Sequence, residues 1–361
     1  MKNSDSLYLY YISGTGNARL TAYWIAEEAE RRGFNTVVRQ IDRLKNISMP
    51  APDERSLTGF IYPTHGFNAA PIMLKFIAGF PRGAGREIFL ANTRAGMKMY
   101  KLFTPGISGL ALIVPALMLR LKGYRCIGFR PVDLPSNWIS VHPGLKTRVI
   151  ESIIAHWEPK VKKFASDILS GKKIYRGLYS LPVDMVLSPV AVAYYIVGRF
   201  FLAKTFVAND NCNNCGICIE ECPTESITMV RGRPYWKMTC ESCMRCMNLC
   251  PKQAVETAHG MATGMIFLAS AAYGWLAKTI IGLTGLAPSV WWWKGLSELL
   301  NIGLMIAAAY LVYLIMHYVM YFRPLRAMVR FTSLTAIPGW RRYSYLIRGR
   351  KAKQNTVHNQ L

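Results

Sequence analysis

The sequence predicts an α/β chain: a doubly wound parallel sheet, then a small α+β domain built around two rows of cysteines, then a hairpin of two long apolar helices. Three observations lead there. Short β-branched or aromatic runs alternate with amphipathic helical stretches from Leu7 to Val132, the pattern of a parallel sheet with crossover helices. Eight of the nine cysteines fall between Cys212 and Cys250, which is not how a disulfide framework is distributed. Beyond them, residues 261–283 and 299–322 are almost free of charge.

Residues 7–12, LYLYYI, read as a buried strand that ends in Ser13-Gly14-Thr15-Gly16-Asn17. A helix is expected over 19–32, with Ala22, Ile25, Ala26 and Ala29 on one face and Gly33 in the stop position. Further strands are expected at 36–40, 59–62, 87–92 and 125–129. Helices should lie over 71–78, where Pro71 takes the favoured first position, and over 110–122. A last helix over 145–169 closes a five-stranded domain spanning 1–173. Residues 102–119 carry no charge over 18 positions, the lower limit for a membrane span. They also hold Pro105, Gly106, Gly109 and Pro115 where the sheet requires a helix, so a buried or membrane-grazing helix is expected. Residues 174–206 read as an apolar linker or interfacial helix, because 181–203 is broken by Pro182, Asp184, Pro189 and Arg199.

At 361 residues and 52% hydrophobic, the chain is too long for one small domain and too apolar for a disordered tail. Residues 261–283 carry Lys278 as their only charge, and 299–322 carry none beyond a protonated His317. Both exceed the roughly 20 residues needed to cross a bilayer, so 259–323 is expected to be a transmembrane hairpin. The turn between holds Pro288 and Trp291-Trp292-Trp293, a composition suited to the membrane–water interface. From Arg323 onward there are nine Lys or Arg and no acid, so the positive-inside rule places a basic tail, 324–361, in the cytoplasm. Met1 to Ser6 lack the layout of a secretory signal. Two crossings return the chain to its starting side, putting everything before the hairpin on the cytoplasmic face of the cell membrane.

The small domain, 207–258, contains Cys212-x2-Cys215-x2-Cys218-x3-Cys222-Pro223, repeated as Cys240-x2-Cys243-x2-Cys246-x3-Cys250-Pro251. Three cysteines spaced by two residues wrap one iron–sulfur cube, and the fourth reaches the other cube. On that rule Cys212, Cys215, Cys218 and Cys250 hold one [4Fe–4S] cluster, and Cys240, Cys243, Cys246 and Cys222 hold the second. Zinc motifs normally present two cysteine pairs rather than four ligands in a row. Cys126 falls in a strand and reads as core.

Ser13-Gly14-Thr15-Gly16-Asn17-Ala18 lies between the first strand and first helix, where hydroxyls, amides and the positive helix end jointly hold a phosphate. This loop looks like the FMN phosphate loop of flavodoxins, and the cysteine pattern resembles bacterial-type two-cluster ferredoxins. In this order they resemble the flavodoxin–ferredoxin fusion oxidoreductases of anaerobic bacteria and archaea, over residues 7–257. The resemblance implies FMN with its phosphate at Ser13, Gly14, Thr15, Gly16 and Asn17. It implies a flavin ring beside Pro63-Thr64-His65-Gly66-Phe67-Asn68 and Asn92-Thr93-Arg94-Ala95-Gly96. The crevice rule for open α/β sheets points to those loops independently. Ala18 stands where flavodoxin loops usually carry Thr or Ser, which removes one hydroxyl contact to the phosphate. His65 and Arg94 are candidates for a position near the ring, where a cation favours the anionic reduced form.

The expected function is a membrane-anchored flavo-iron–sulfur oxidoreductase moving electrons between FMN, two [4Fe–4S] clusters and a substrate or redox partner. A non-catalytic ferredoxin-type electron-transfer subunit is the alternative, and a sensor or scaffold a further one. With 44 Lys+Arg against 20 Asp+Glu, the formal net charge is +24, which calls for an acidic redox protein or anionic lipid beside any lipophilic substrate. Nucleic acid fits least, since the basic residues do not alternate with stacking aromatics on one face. No acid–base pair or nucleophile constellation stands out, so no catalytic residue is assigned.

Overall fold

The structure is a computed structural model that describes residues 6–41, 56–284, 291–319 and 322–343. Its first half runs β1 (Ser6–Tyr11), α1 (Asn17–Arg31), β2 (Asn35–Gln40), β3 (Ser56–His65), a two-residue β4 (Asn68–Ala69) and α2 (Pro71–Gly79). It continues through β5 (Glu87–Met99), β6 (Leu102–Thr104), α3 (Ile113–Leu121), β7 (Arg125–Pro135), α4 (Thr147–Leu169) and β8 (Ile174–Tyr175). The sheet order is β2-β1-β3-β5-β7-β8, with every neighbour on that path parallel. Counting the five long strands alone, the order is 2-1-3-4-5, the flavodoxin-like doubly wound arrangement. Period-two alternation in β1 sends Leu7 and Leu9 to the face covered by α1 and α4. The same alternation sends Tyr10 to the face covered by α2 and α3.

The expected strands and helices are present, but β5 and β7 run well past the expected ends at 92 and 129. Their outer halves pair with each other, and β5 also pairs with the antiparallel β6. These halves carry polar residues, Arg94 and Asp133 among them, that satisfy one another across the ladder, so they give no apolar signal. Residues 102–119 likewise do not form one helix: β6 comes first, then a 3₁₀ turn at Gly109–Ala111, then α3. Gly109 takes φ +56°, and a Cβ there would lie 2.4 Å from the Phe67 carbonyl oxygen, so the chain turns there instead of entering the helix early.

Residues 174–206, expected as an apolar linker or interfacial helix, form a run of short helical elements whose residues up to 198 are mostly exposed. After β8 come a 3₁₀ turn (Arg176–Ser180), α5 (Leu181–Val186), α6 (Ser188–Ala193), a π-helical turn (Tyr194–Gly198) and α7 (Arg199–Lys204). Asp184, which reads in the sequence as an interruption, is the anchor. It is buried, and its carboxylate accepts from the Gly109 N–H at 2.6 Å and the Ser180 hydroxyl at 2.7 Å.

The cysteine-rich domain comprises β9 (Phe206–Ala208), α8 (Ile217–Glu220), β10 (Ile227–Val230), β11 (Arg233–Trp236), α9 (Arg245–Leu249) and β12 (Val255–Thr257). Its two antiparallel ribbons are β10–β11 and β9–β12. Two long helices follow, α10 (His259–Thr284) and α11 (Trp291–Val319), which pack on one another. Met261, Met265 and Val312 seat them against Val207 and Tyr235 of the cysteine domain.

The transmembrane hairpin is not supported by these helices: among the described residues, no single helix is long and apolar enough to cross a membrane. A bent pair, Arg176–Val186 with Ser188–Gly198 at 79°, meets the length and composition together. The side chains of Trp291, Trp292, Trp293 and His317, and all of 344–361, lie outside what the structure describes. The basic tail begins as structure: α12 (Arg323–Arg330) is followed by a strap that runs back over the protein to Tyr343, which is fully buried.

Candidate functional site

The loop between β1 and α1 is built from short polar residues whose side chains are turned inward. Ser13 Oγ accepts from the Gly16 N–H at 3.0 Å, and Gly16 sits at φ +108°, a conformation open to glycine. Thr15 Oγ1 accepts from Asn137, while Asn17 Nδ2 donates to the Pro135 carbonyl at 3.0 Å. The α1 start is thereby fixed to the loop after β7. Gly14 has a different reason for being glycine: a Cβ there would lie 2.7 Å from the Cys243 carbonyl oxygen. The residue expected to let an anion approach instead lets the cysteine domain approach.

The cleft in front of this loop has a volume of about 730 Å³, counted out to its mouth and including space open to solvent. Of the residues singled out by sequence, Ser13, Gly14, Thr15, Asn17, Pro63, Thr64, His65, Gly66, Thr93 and Arg94 line it. Gly16, Asn68, Asn92 and Gly96 do not, and hold the loops from behind. Asn92 donates to Thr64 Oγ1 at 2.8 Å, Asn68 Oδ1 accepts from the Ala69 N–H at 2.8 Å, and a Cβ on Gly96 would strike the Asp133 backbone at 2.7 Å. Sequence reasoning missed Ser136, Asn137 and Trp138, although the crevice rule extends to the loop after β7. It also missed Tyr194 and the run Ser242-Cys243-Met244, for which sequence offered no signal.

The two candidate cations do not act as free charges. Arg94 forms a bidentate pair with Asp133, and both side chains are nearly buried. His65 has its Nδ1 enclosed and without a hydrogen-bond partner, and burial pushes its pKa down to about 4. Part of the side chain still reaches the cleft, so the ring offers a neutral imidazole at neutral pH. Gly66 and Phe67 form the β3–β4 turn at φ +52° and +62°. A Cβ on Gly66 would fall 1.9 Å from the Tyr194 ring, so glycine lets that ring lie directly on the turn.

The eight thiols separate into the two expected groups. Cys212, Cys215, Cys218 and Cys250 line one small cleft. Burial pushes the Cys218 thiol up to about 11, and the neighbouring Cys212, Cys250 and Cys215 push in the same direction. In the other group burial pushes Cys243 up to about 12, with Cys222 adding to the effect, and Cys246 is raised by burial and by Cys240, Cys243 and Cys222. Both loops use the same left-handed backbone positions: Asn214 and Gly216 in the first, Ser242 and Met244 in the second. Amides point at sulfur, from Ser226 to Cys222 at 3.3 Å, Ser242 to Cys240 at 3.4 Å and Ala254 to Cys250 at 3.2 Å. Such bonds tune cluster potentials. Among the described residues no three His, Cys, Asp or Glu side chains converge closely enough for one metal ion. Four soft thiols spread around a cleft fit a cube, whose ligands attach at separate corners.

The groups differ in exposure and position. Cys215 is exposed, whereas Cys222, Cys240 and Cys246 are buried, and Cys243 reaches the cleft beside Gly14. Arg245, almost wholly buried, ties the domains by donating to the Ser13 carbonyl at 3.2 Å while pairing with Glu221. The strap adds a second tie: Tyr343 donates its hydroxyl to Asn17 Oδ1 at 2.7 Å and its amide to Asn248 Oδ1 at 2.6 Å.

A family model, the 4Fe-4S dicluster domain, matches residues 211–255. Among solved structures, the chain is similar to a flavodoxin of Streptococcus pneumonia TIGR4, at 15% identity and TM-score 0.31, covering 46% of this chain and 98% of that one. It is also similar to a flavodoxin from the domain Archaea, at 13% identity and TM-score 0.26, covering 45% and 99%. No curated protein matches. The flavodoxin-like character of the N-terminal domain rests on its strand order and helix placement. The dicluster match and the eight thiols imply two [4Fe–4S] clusters, and the chain is an electron-transfer protein that joins a flavodoxin-like domain to a dicluster domain.

Proposed function

We propose that the protein is a membrane-associated flavo-iron–sulfur oxidoreductase, with FMN in the cleft and the two thiol groups holding the clusters assigned to them by spacing. The observation that supports this reading is the close approach of Cys243, assigned by spacing to the buried group, to Gly14 in the wall of the cleft. When bound, FMN supplies electron exchange in pairs or singly and each [4Fe–4S] cluster supplies it singly. The cleft suits FMN on its own features: an enclosed, unpartnered His65 Nδ1, a tyrosine ring on a glycine turn, and a glycine-bearing loop at a helix start.

The chain's residues order the three sites. Ser13, Thr15 and the α1 start bind the phosphate end. Thr64, His65 and Thr93 would orient the ring, with burial keeping His65 neutral, and Tyr194 and Trp138 would exclude water. The buried group lies against the cleft through Cys243, and the other presents Cys215 to solvent, where an acidic redox protein can dock on a chain of net charge +24. That exposure equally favours the second reading, an electron-transfer subunit serving another reductase. Large apolar side chains left exposed on α10, α11 and the bent pair, such as Phe267, Trp275, Leu299, Val186 and Ile196, support membrane association on the cytoplasmic face.

Anaerobic purification with iron, sulfide and flavin quantitation tests the assignment. About eight iron atoms and one FMN per chain are expected, from two four-iron clusters and a single phosphate loop. Iron-loaded protein that neither retains nor rebinds flavin would remove the flavin part, and colourless, iron-free protein would remove the whole.

A further inference from the structure

The edge of the sheet away from the flavin cleft carries a second, larger cleft of about 1370 Å³, counted out to its mouth. Five cations line it: Arg130 from β7, Lys160 and Lys163 from α4, and Lys173 and Arg176 from the β8 region, against one carboxylate, Asp167. Asp167 is engaged by Lys172 at 2.8 Å and Lys163 at 3.5 Å. Asp133, the other acid near Arg130, is taken by Arg94. The cations are therefore short of counter-charge. Arg130 Nε is buried with no hydrogen-bond partner. Burial and the nearby Arg176 hold the Arg130 pKa below its usual value, and burial and Arg130 do the same to Lys160. Arg130 and Lys160 both lie over the Trp157 ring, at 5.2 and 5.1 Å from its centroid, so one aromatic side chain holds both charged ends.

What adjoins the cleft identifies the anion. Arg176 begins the bent helical pair, whose Leu178, Tyr179, Val183, Met185 and Val186 are exposed. Tyr179 belongs both to the cleft and to this apolar surface. At its far end the segment packs through α7 on α10 and α11. We propose that this cleft seats the phosphate headgroup of an anionic phospholipid whose acyl chains lie along the bent pair. A headgroup supplies the charge missing around Arg130, and the acyl chains cover the apolar side chains beside it. The inference rests on the membrane association proposed above.

The test uses the full-length protein in neutral detergent, with bound lipid counted by native mass spectrometry. One dioleoylphosphatidylglycerol per chain should be retained about tenfold more tightly than dioleoylphosphatidylcholine. The K163Q/R176Q double variant should lose that preference, and K163R/R176K should keep it, with unchanged iron content in both as the check on folding. Equal retention of the two lipids, a preference that survives K163Q/R176Q, or displacement of the lipid by millimolar inorganic phosphate would each overturn the headgroup site. Recovery of the untreated chain in a detergent-free, high-speed supernatant would overturn the membrane reading itself, and is read separately from lipid preference.

Discussion

Gly14 is the single residue on which the junction of the two redox domains turns. Gly14→Ala places a methyl group 2.7 Å from a backbone oxygen of Cys243, and backbone cannot swing aside as a long side chain can. We expect a loss of about 1–3 kcal/mol, seen as a lower Tm of iron-loaded protein, whereas Gly264→Ala, with nothing within 4 Å, should be neutral or slightly stabilising. His65 makes a second prediction, in pH. Folded His65 takes its proton only near pH 4 against the ordinary 6.5, so as pH falls the unfolded chain binds protons first. Stability should decline between about pH 6.5 and pH 4, by on the order of 2 kcal/mol. Urea unfolding across this range should show a shallower slope in His65→Gln, and an unchanged slope would contradict the buried neutral imidazole.

At the scale of elements, the two cysteine loops are copies with different surroundings. Cys215→Ser should leave the buried group loaded and Cys243→Ser the exposed one, each variant keeping about four of the eight irons, as counted chemically and by paramagnetic resonance after reduction. Total loss in Cys215→Ser would mean that the groups do not load independently. The π-helical turn at Tyr194–Gly198 is the other element with a consequence. Gly66→Ala pushes the Tyr194 ring off the β3–β4 turn, and removing an aromatic wall of this kind weakens ring binding about tenfold. Flavin fluorescence released on dilution reads the effect, and Tyr194→Ala should match it.

Across the whole molecule, the strap makes the cofactor junction depend on the last described residues of the chain. A run of hydrogen bonds passes from Pro135 through Asn17 and Tyr343 to Asn248 and on to the Met244 carbonyl, joining the phosphate loop to the loop that carries Cys243. Trp340 and Arg341 hold the strap down through the carbonyls of Ile139 and Gly144. Tyr343→Phe leaves Asn17 Oδ1 buried without its partner and should cost about 1–2 kcal/mol. Tyr343→Ala, which also opens a cavity, should cost about 3–5 kcal/mol and loosen flavin retention, measured by thermal unfolding and flavin titration. Equal behaviour of both variants and the parent would mean that the strap rests on the surface without bracing the junction.

Some of this was legible in residue order and some was not. The five long strands, α1 with its inward Ala22, Ile25, Ala26 and Ala29, and the two thiol groups follow from local rules: period two, period 3.6, and the two- and three-residue gaps of a cluster loop. Each such rule acts within a few residues, where chain geometry alone brings groups together. What pairs distant residues could not be read that way. Asp184 looked like a break in an apolar segment and is its anchor, Arg94 looked like a free cation and is cancelled by Asp133, and Gly14 looked made for phosphate and is pressed by Cys243. In each case the partner lies tens to hundreds of positions away, and only tertiary packing, within the sheet for Arg94 and Asp133 and between domains for Gly14 and Cys243, decides which buried charge is matched and which glycine has no room for a side chain.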